Sequence, residues 1–146
     1  RAANILVAHD GEVKLSNFSI SAKQSDKLAT NKGRYSFIAS PHWTPPETAL
    51  SERLSDNANY VKADSWSLGI TCIELADKYP PYNHISPEKI MSEIKLKSFK
   101  PSLKDPNRWP YDFNDFLNRC LTRAPDQRPK ASELIKVDLF CFHFQF

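Results

Sequence analysis

The tripeptide Asn17-Phe18-Ser19 stands where a predicted strand runs into a long polar loop. The amide oxygen of Asn17 can ligate a hard cation such as Mg²⁺, although magnesium favours charged oxygen ligands in octahedral geometry. Three interpretations are therefore open for Asn17: a magnesium site, a magnesium site that has lost its charge, and an ordinary loop.

The strand before Asn17 belongs to a predicted β-hairpin. The apolar runs Ile5–Val7 and Val13–Leu15 flank a turn in which Gly11 can adopt positive φ. From Ser16 to about Ser40 the chain is polar and has no sustained period, which predicts a long loop. Loops of that length in compact domains are usually functional or disordered.

The rest of the chain reads as helical. Residues 62–76 are apolar on nearly every face, which predicts a buried central helix that Pro80-Pro81 ends. Shorter helices are predicted from Pro45-Pro46-Glu47 through about Glu52, after Ser86-Pro87, over 113–121 and over 131–136, with a turn at 55–60.

Composition excludes several classes of protein. The chain has 146 residues, 40% hydrophobic and 25% charged, as in one ordinary globular domain. Its 20 Lys and Arg residues are scattered and the net charge is only +3, which argues against a nucleic-acid partner. No apolar run is long enough for a membrane span. Cys72 and Cys120 lie in apolar helical patterns, which predicts buried thiols in a reducing, cytoplasmic compartment. The four histidines lack metal-ligand spacing.

Several motifs in order give the sequence a specific resemblance. "RAANIL" resembles the end of the catalytic loop HRDLxxxN of eukaryotic protein kinases, "NFS" lies where DFG belongs, and "PPE" lies where APE belongs. "KADSWSLGITCIELA" and "DQRPKASELI" resemble the central and closing helices of the kinase C-terminal lobe. "RYSFIASPHWTPPE" and "SFKPSLKDPNRW" are most similar to the sterile-20-related Ser/Thr kinases, especially the germinal-centre-kinase branch. The fold class implied is mainly α with a small β-hairpin.

The resemblance implies a nucleotide site that uses ATP and Mg²⁺. Asn4 matches the catalytic-loop asparagine that gives an amide oxygen to Mg²⁺; the alternative is an asparagine that caps the hairpin. Arg1 stands where the family carries a lysine near the γ-phosphate, and the forked guanidinium does not replace that lysine neutrally. Leu6 matches an apolar residue under the adenine ring, with a plain core leucine as the alternative.

At position 17 the chain departs from the kinase motif. Active kinases carry an aspartate there whose carboxylate binds Mg²⁺ directly, so Asn17 removes one formal negative charge. Losing a few kcal/mol of metal or transition-state binding slows transfer by roughly 10²-fold or more. Ser19 replaces the motif's glycine and removes backbone freedom, while Phe18 keeps the hydrophobic anchor.

The resemblance also assigns the loop between Asn17 and Glu47 to the activation segment. Ser36 falls where relatives carry a phosphorylated residue, and a phosphate there orders the loop by pairing with arginine. Ser40 matches the threonine of the substrate-docking loop that marks Ser/Thr kinases. The alternative is that both are ordinary polar loop serines.

Three further positions are structural in the resemblance. Glu47 and Arg128 match the family's buried ion pair between the APE motif and the last helices. Asp64 matches the acid of the central helix that accepts backbone N–H bonds from the catalytic loop, with capping of a helix start as the alternative.

The kinase motifs missing from the sequence bear on its activity. It contains no G-x-G-x-x-G loop, V-A-I-K lysine or HRD aspartate, so we expect a partial kinase domain over 1–140 whose N-lobe and C-lobe start are absent. The aromatic tail 141–146 is interpreted as non-native or as a partner-binding strand.

The functions in competition are a Ser/Thr kinase that phosphorylates protein hydroxyls, a pseudokinase adaptor that regulates another kinase, and a degenerate gene product. The expected partners are ATP and a protein substrate or partner kinase. An intact HRD aspartate and ATP-binding lysine upstream would favour the enzyme over the adaptor.

Overall fold

The computed structural model describes residues 1–18, 21, 40–50 and 57–136. The elements in chain order are β1 (Ile5–Val7), β2 (Val13–Leu15), α1 (Pro46–Leu50), α2 (Asn57–Asp77), α3 (Pro87–Lys95), α4 (Tyr111–Cys120) and α5 (Ala131–Leu134). Short 3-10 turns cover Ala2–Asn4, Pro41–Trp43 and Pro106–Arg108. The predicted fold class, mainly helical with one small hairpin, is confirmed. Ser19, Ser36 and the tail 141–146 lie outside the described residues.

The hairpin forms as predicted, with β1 and β2 antiparallel. Ile5 pairs with Leu15 and Val7 pairs with Val13. Gly11 has a φ of 86° and its N–H donates to the carbonyl of Ala8 at 3.0 Å, which closes the turn. The hairpin therefore returns the chain to Asn4, where it began.

Helix α2 carries the core of the described residues. Trp66, Ile70 and Ile73 have at most 1% of their surface exposed. Trp66 and Ile70 pack with Ile90 and Ile94 of α3, and other residues of α2 pack on α4. This burial is the main stabilisation that holds α3 and α4 against α2.

Two details of α2 differ from the sequence prediction. The helix begins at Asn57, so residues 57–60 are helical and the predicted turn over them is wrong. No glycine or proline interrupts this stretch, and a helix propagates easily once its core turns are packed.

Leu75 is 61% exposed and Leu68 is 38% exposed, so the helix is not buried on every side. Within the part of the chain that is described, no element covers these two leucines.

Gly69 allows α2 and α4 to approach closely. A Cβ placed on Gly69 would lie 2.8 Å from the Cβ of Cys120 and 3.0 Å from the side chain of Leu121. The predicted burial holds for Cys120, while Cys72 is half-buried. Burial raises the pKa of the Cys72 thiol to about 11 and that of Cys120 to about 12, so both are protonated at neutral pH.

The other helices begin and end close to the predicted positions. The Ser86 hydroxyl caps α3 by accepting the Lys89 N–H at 3.4 Å, as Ser86-Pro87 predicts. Helix α2 ends at Asp77, where Lys78 adopts a left-handed φ of 71° before the two prolines. Across the described ranges, no helix is both long and apolar enough to span a membrane.

Candidate functional site

The hairpin brings Ser16, the residue before Asn17, into contact with Asn4. Ser16 donates its N–H to the Asn4 carbonyl at 2.9 Å and its hydroxyl to the same carbonyl at 3.2 Å. Asn17 follows with a φ of 62°, a left-handed conformation that asparagine tolerates better than most residues. The two asparagines that the resemblance assigns to magnesium therefore stand at adjacent points of the backbone, and we call Asn4, Ser16 and Asn17 the hairpin end.

Arg1 and Leu6 flank the hairpin end, and both are exposed. The Asn4 N–H donates to the Arg1 carbonyl at 2.9 Å in the 3-10 turn, so the Arg1 backbone is fixed one turn before Asn4. Leu6 lies on β1 opposite Lys14 and is 56% exposed. Its predicted adenine contact stays a prediction, but Leu6 is not a buried core leucine in the described residues.

The segment Ser40–Glu47, which we call the docking loop after its predicted role, folds back on itself and runs into the first turn of α1. The Ser40 carbonyl accepts the Trp43 N–H at 3.1 Å and the Thr44 hydroxyl at 3.4 Å. Pro41 and Thr44 are buried, and Ser40 is half-buried. The backbone of the loop is thus ordered by its own hydrogen bonds around Ser40, the residue predicted to match the threonine that marks Ser/Thr kinases.

Side chains from outside the docking loop fix its middle. The Ser67 hydroxyl on α2 donates to the Trp43 carbonyl at 2.9 Å. The His42 Nε2 lies 3.1 Å from the carbonyl oxygen of Ile85, in the connection between α2 and α3. The loop is therefore attached to two separate parts of the helical core.

A buried ion pair fixes the end of the docking loop. Arg128 donates from Nη1 and Nη2 to the two carboxylate oxygens of Glu47 at 2.6 and 3.0 Å. The remaining guanidinium donors reach the carbonyls of Lys62, Thr122 and Arg123 at 2.8 to 3.2 Å. Arg128 is 1% exposed, and its Cζ lies 5.1 Å from the centroid of the Trp66 ring. Bidentate pairing of this kind is strong and directional, so it holds the start of α1 against the last helices.

Glu74 is a site residue that the sequence analysis did not identify. Its Oε2 accepts the Ala2 N–H at 2.8 Å and the Trp43 indole N–H at 3.1 Å. One carboxylate oxygen on α2 therefore contacts both the segment before Asn4 and the docking loop. The signal was present in the sequence, because a glutamate inside an apolar helix requires hydrogen-bond partners.

Asp64 lies on the exposed side of α2, in the third turn of the helix rather than at its start. No hydrogen bond to its carboxylate is found among the described residues, so the predicted amide partners stay a prediction. The surrounding protein removes water from the carboxyl and raises its pKa above the ordinary value of 3.8.

The donor set at the hairpin end does not fit a tightly bound Mg²⁺. Asn4 and Asn17 offer neutral amide oxygens, whereas magnesium favours carboxylates. In the ranges that the structure describes, no three His, Cys, Asp or Glu side chains come together as metal ligands. Asn4 and Asn17 thus supply two neutral amides in place of the amide and the carboxylate that the kinase motif carries.

Comparison with known families identifies the class of protein to which this fold and these contacts belong. The protein kinase domain family matches residues 1–140. The chain therefore belongs to the protein kinase domain family, and the family resemblance predicted from the sequence is confirmed.

The curated relatives are Ser/Thr kinases. The chain is 43% identical over 136 residues to Serine/threonine-protein kinase 10 of Danio rerio, and 39% identical to the Homo sapiens protein of that name. It is 42% identical over 137 residues to Serine/threonine-protein kinase 4 homolog A of Dictyostelium discoideum. Each match covers 93% of this chain but 14%, 14% and 28% of the relative, so the chain spans a small part of their length.

Proposed function

We propose that the protein carrying this chain is a Ser/Thr protein kinase whose transfer of phosphate from ATP to protein hydroxyls is slowed by Asn17. The observation that carries the proposal is the bidentate pair between Glu47 and Arg128. This pair anchors the docking loop to the helical core, as a kinase needs in order to present a substrate hydroxyl. Family membership and Ser/Thr kinase relatives support the type of reaction.

In this proposal the docking loop supplies positioning. Its backbone is ordered at Ser40, where a hydroxyl-bearing substrate is expected to contact the loop. Phosphoryl transfer depends almost entirely on positioning and on stabilising negative charge. The docking loop provides positioning, and Arg1 provides a cation that stabilises negative charge on the phosphates.

The hairpin end limits the rate in the same proposal. Asn4 and Asn17 present amide oxygens where an active kinase needs one amide and one carboxylate. A divalent ion at the ATP phosphates is bound more weakly, so the negative charge that develops on the phosphates during transfer is less well stabilised. We therefore expect phosphate transfer well below the roughly 1–100 s⁻¹ that is typical of protein kinases.

The loss of charge at Asn17 also favours a second candidate function. A kinase domain with an ordered docking loop and a weak metal site can serve as an adaptor or allosteric activator of another kinase. In that case the partner kinase is the main ligand, and the site of action is the cytoplasm. Ser36 phosphorylation is a proposal common to both functions, since a phosphate orders an activation segment in either of them.

The test compares the full-length protein with its Asn17→Asp variant in a phosphate-transfer assay on a generic Ser/Thr substrate. We expect Asn17→Asp to raise the rate by roughly 10²-fold, because a few kcal/mol of transition-state stabilisation are restored. Adding Ser19→Gly should raise it further. The matched control is Asn118→Asp, which adds the same charge on the exposed face of α4.

Each outcome of that assay has a defined meaning. A gain from Asn17→Asp and none from Asn118→Asp supports the impaired kinase. A wild-type protein that already works at ordinary kinase rates contradicts the proposed effect of Asn17. No transfer in any variant supports the adaptor.

A further inference from the structure

A small cavity, which we call the α2-end cavity, opens where α2 ends, and none of its lining residues belongs to the docking loop or the hairpin end. Its volume is about 230 Å³. Pockets for drug-sized ligands have volumes of roughly 300–1,000 Å³, so this cavity suits a single side chain of a partner. The lining residues that matter here come from the end of α2 and from the connection into α4, and they are Asp77, Lys78, Lys104, Asp105, Arg108 and Trp109.

The charges that line the α2-end cavity are unbalanced. Lys78, Lys104 and Arg108 are exposed cations, and none of them forms an ion pair with a carboxylate in the part of the chain that the structure describes. One of the two lining carboxylates already has a partner, because Asp77 Oδ2 accepts the backbone N–H of Lys104 at 2.9 Å. Asp105 is then the one remaining lining carboxylate against three cations, so the cavity favours an anion.

Contacts within the protein fix the walls of the α2-end cavity. The Asn114 Nδ2 lies 3.0 Å from the carbonyl oxygens of Trp109 and of Pro106, which holds the connection into α4. The Trp109 ring centroid lies 5.0 Å from that of Phe113 on α4. Because these walls are already in place, binding a ligand costs little rearrangement of the backbone.

Two exposed tyrosines adjoin the α2-end cavity along the chain. Tyr79 follows Lys78 and is 56% exposed, and the Lys104 Nζ lies 5.7 Å from the centroid of its ring. Tyr111 begins α4 two residues after Trp109 and is 81% exposed. Tyrosine is enriched at protein interfaces. The surroundings therefore favour an anionic group that is carried by a peptide over a free ion.

We propose that the α2-end cavity binds the phosphate monoester of a phosphorylated peptide. Such a group carries a charge of about −1.5 to −2 and three strong acceptor oxygens, so it can pair with several cations at once. A peptide carboxylate carries one charge and gains less beside Asp105. The forked guanidinium of Arg108 matches phosphate geometry, and Lys104 adds a point charge. The inference goes beyond the proposed function and does not depend on phosphate transfer by this protein.

The test measures binding of fluorescein-labelled peptides to the full-length protein by fluorescence polarisation. The probes are two blocked tripeptides of alanine, with phosphotyrosine or phosphoserine at the centre, and their unphosphorylated counterparts. We expect saturable binding of a phosphorylated peptide and none of its unphosphorylated counterpart. The tighter of the two phosphorylated peptides identifies the side chain that the cavity takes.

Three variants assign the binding to the α2-end cavity. The double variant Lys104→Ala/Arg108→Ala should weaken binding by roughly tenfold or more, because hydrogen bonds between charged groups are lost. Asp105→Asn should tighten binding, because it removes a carboxylate that repels the phosphate. Lys89→Ala is the matched control: it removes an exposed cation of α3 and should leave the affinity unchanged.

The substituted residues are all exposed, and far-UV circular dichroism checks that each variant is folded. Unchanged affinity in Lys104→Ala/Arg108→Ala would overturn the inference, as would weaker binding in Asp105→Asn. Absence of binding of both phosphorylated peptides to the wild-type protein would also overturn it. Inorganic phosphate that competes as well as the unlabelled phosphorylated peptide would show that the cavity attracts anions in general, which contradicts recognition of a peptide.

Discussion

The docking loop and the hairpin end hold polar groups in opposite ways. At the docking loop, the buried Arg128 is paired with Glu47, and its remaining guanidinium donors are directed at backbone carbonyls. At the hairpin end, the half-buried Asn4 and the exposed Asn17 carry neutral amides. In the proposed function, substrate positioning and metal binding are therefore separable, because the ion pair at the docking loop is present while position 17 carries an amide in place of the motif's carboxylate.

The largest predicted effect compares a buried ion pair with an exposed one. Glu47→Ala should lower the free energy of unfolding by about 3–5 kcal/mol, because it leaves the Arg128 guanidinium buried without its counter-charge. Glu12→Ala breaks the exposed pair with Lys14, at 3.2 Å on the hairpin, and should cost less than about 1 kcal/mol. Urea unfolding of the two variants gives both values. Equal losses would mean that the docking loop is no more firmly held than the hairpin.

A smaller effect is expected at the contact between α2 and α4. Gly69→Ala gains helix propensity, but its Cβ would lie 2.8 Å from that of Cys120. Overpacking of this kind costs about 1–3 kcal/mol, which outweighs the gain of about 1 kcal/mol from replacing glycine in a helix. Thermal unfolding measures the net loss.

The control for Gly69→Ala is a second change that removes the opposing Cβ. The double variant Gly69→Ala/Cys120→Gly should lose less stability than the sum of the losses in its two single variants, since the clash is relieved. A double variant less stable than the sum of its two single changes would contradict the steric explanation.

The smallest effect concerns Asp64 and its dependence on pH. Desolvation raises the pKa of this carboxyl above 3.8 in the folded chain, so its stabilising contribution is present at low pH and is lost as the pH rises through the folded pKa. Asp64→Asn should therefore unfold at slightly higher urea than the parent at pH 7, with the difference shrinking toward pH 4.

The same measurement tests the role that the kinase resemblance assigns to Asp64. If backbone amides bind the carboxylate in the full-length protein, its pKa is lowered and Asp64→Asn destabilises the fold more at pH 7 than at pH 4. That outcome would contradict the raised pKa and support the predicted amide contacts.

The sequence predicted the fold better than it predicted the contacts between segments. Apolar periodicity located α2 and the hairpin because those patterns reflect local geometry. It placed the start of α2 too late, since helix extension over residues 57–60 depends on packing further along the helix. The exposure of Leu75 was missed because an apolar pattern shows which residues can be buried, and the actual cover depends on neighbouring elements.

At the candidate site, motif comparison identified Glu47 and Arg128, and the structure shows them in contact. It did not identify Glu74, because that contact joins residues 31 and 72 positions apart. Local sequence patterns do not indicate which residues come into contact across such separations in sequence. A carboxylate inside an otherwise apolar helix was the one available clue, and it indicated a partner without naming it.

We propose that the domain keeps an ordered docking loop and has lost, at Asn17, the carboxylate that binds a divalent ion in active kinases. The most direct test is the shift in Tm that ATP produces in the full-length protein, with and without Mg²⁺, beside the Asn17→Asp variant. We predict that Mg²⁺ adds little to the ATP-induced shift in the wild-type protein and clearly enlarges it in Asn17→Asp. A wild-type shift that depends on Mg²⁺ as strongly as that of the variant would contradict the account.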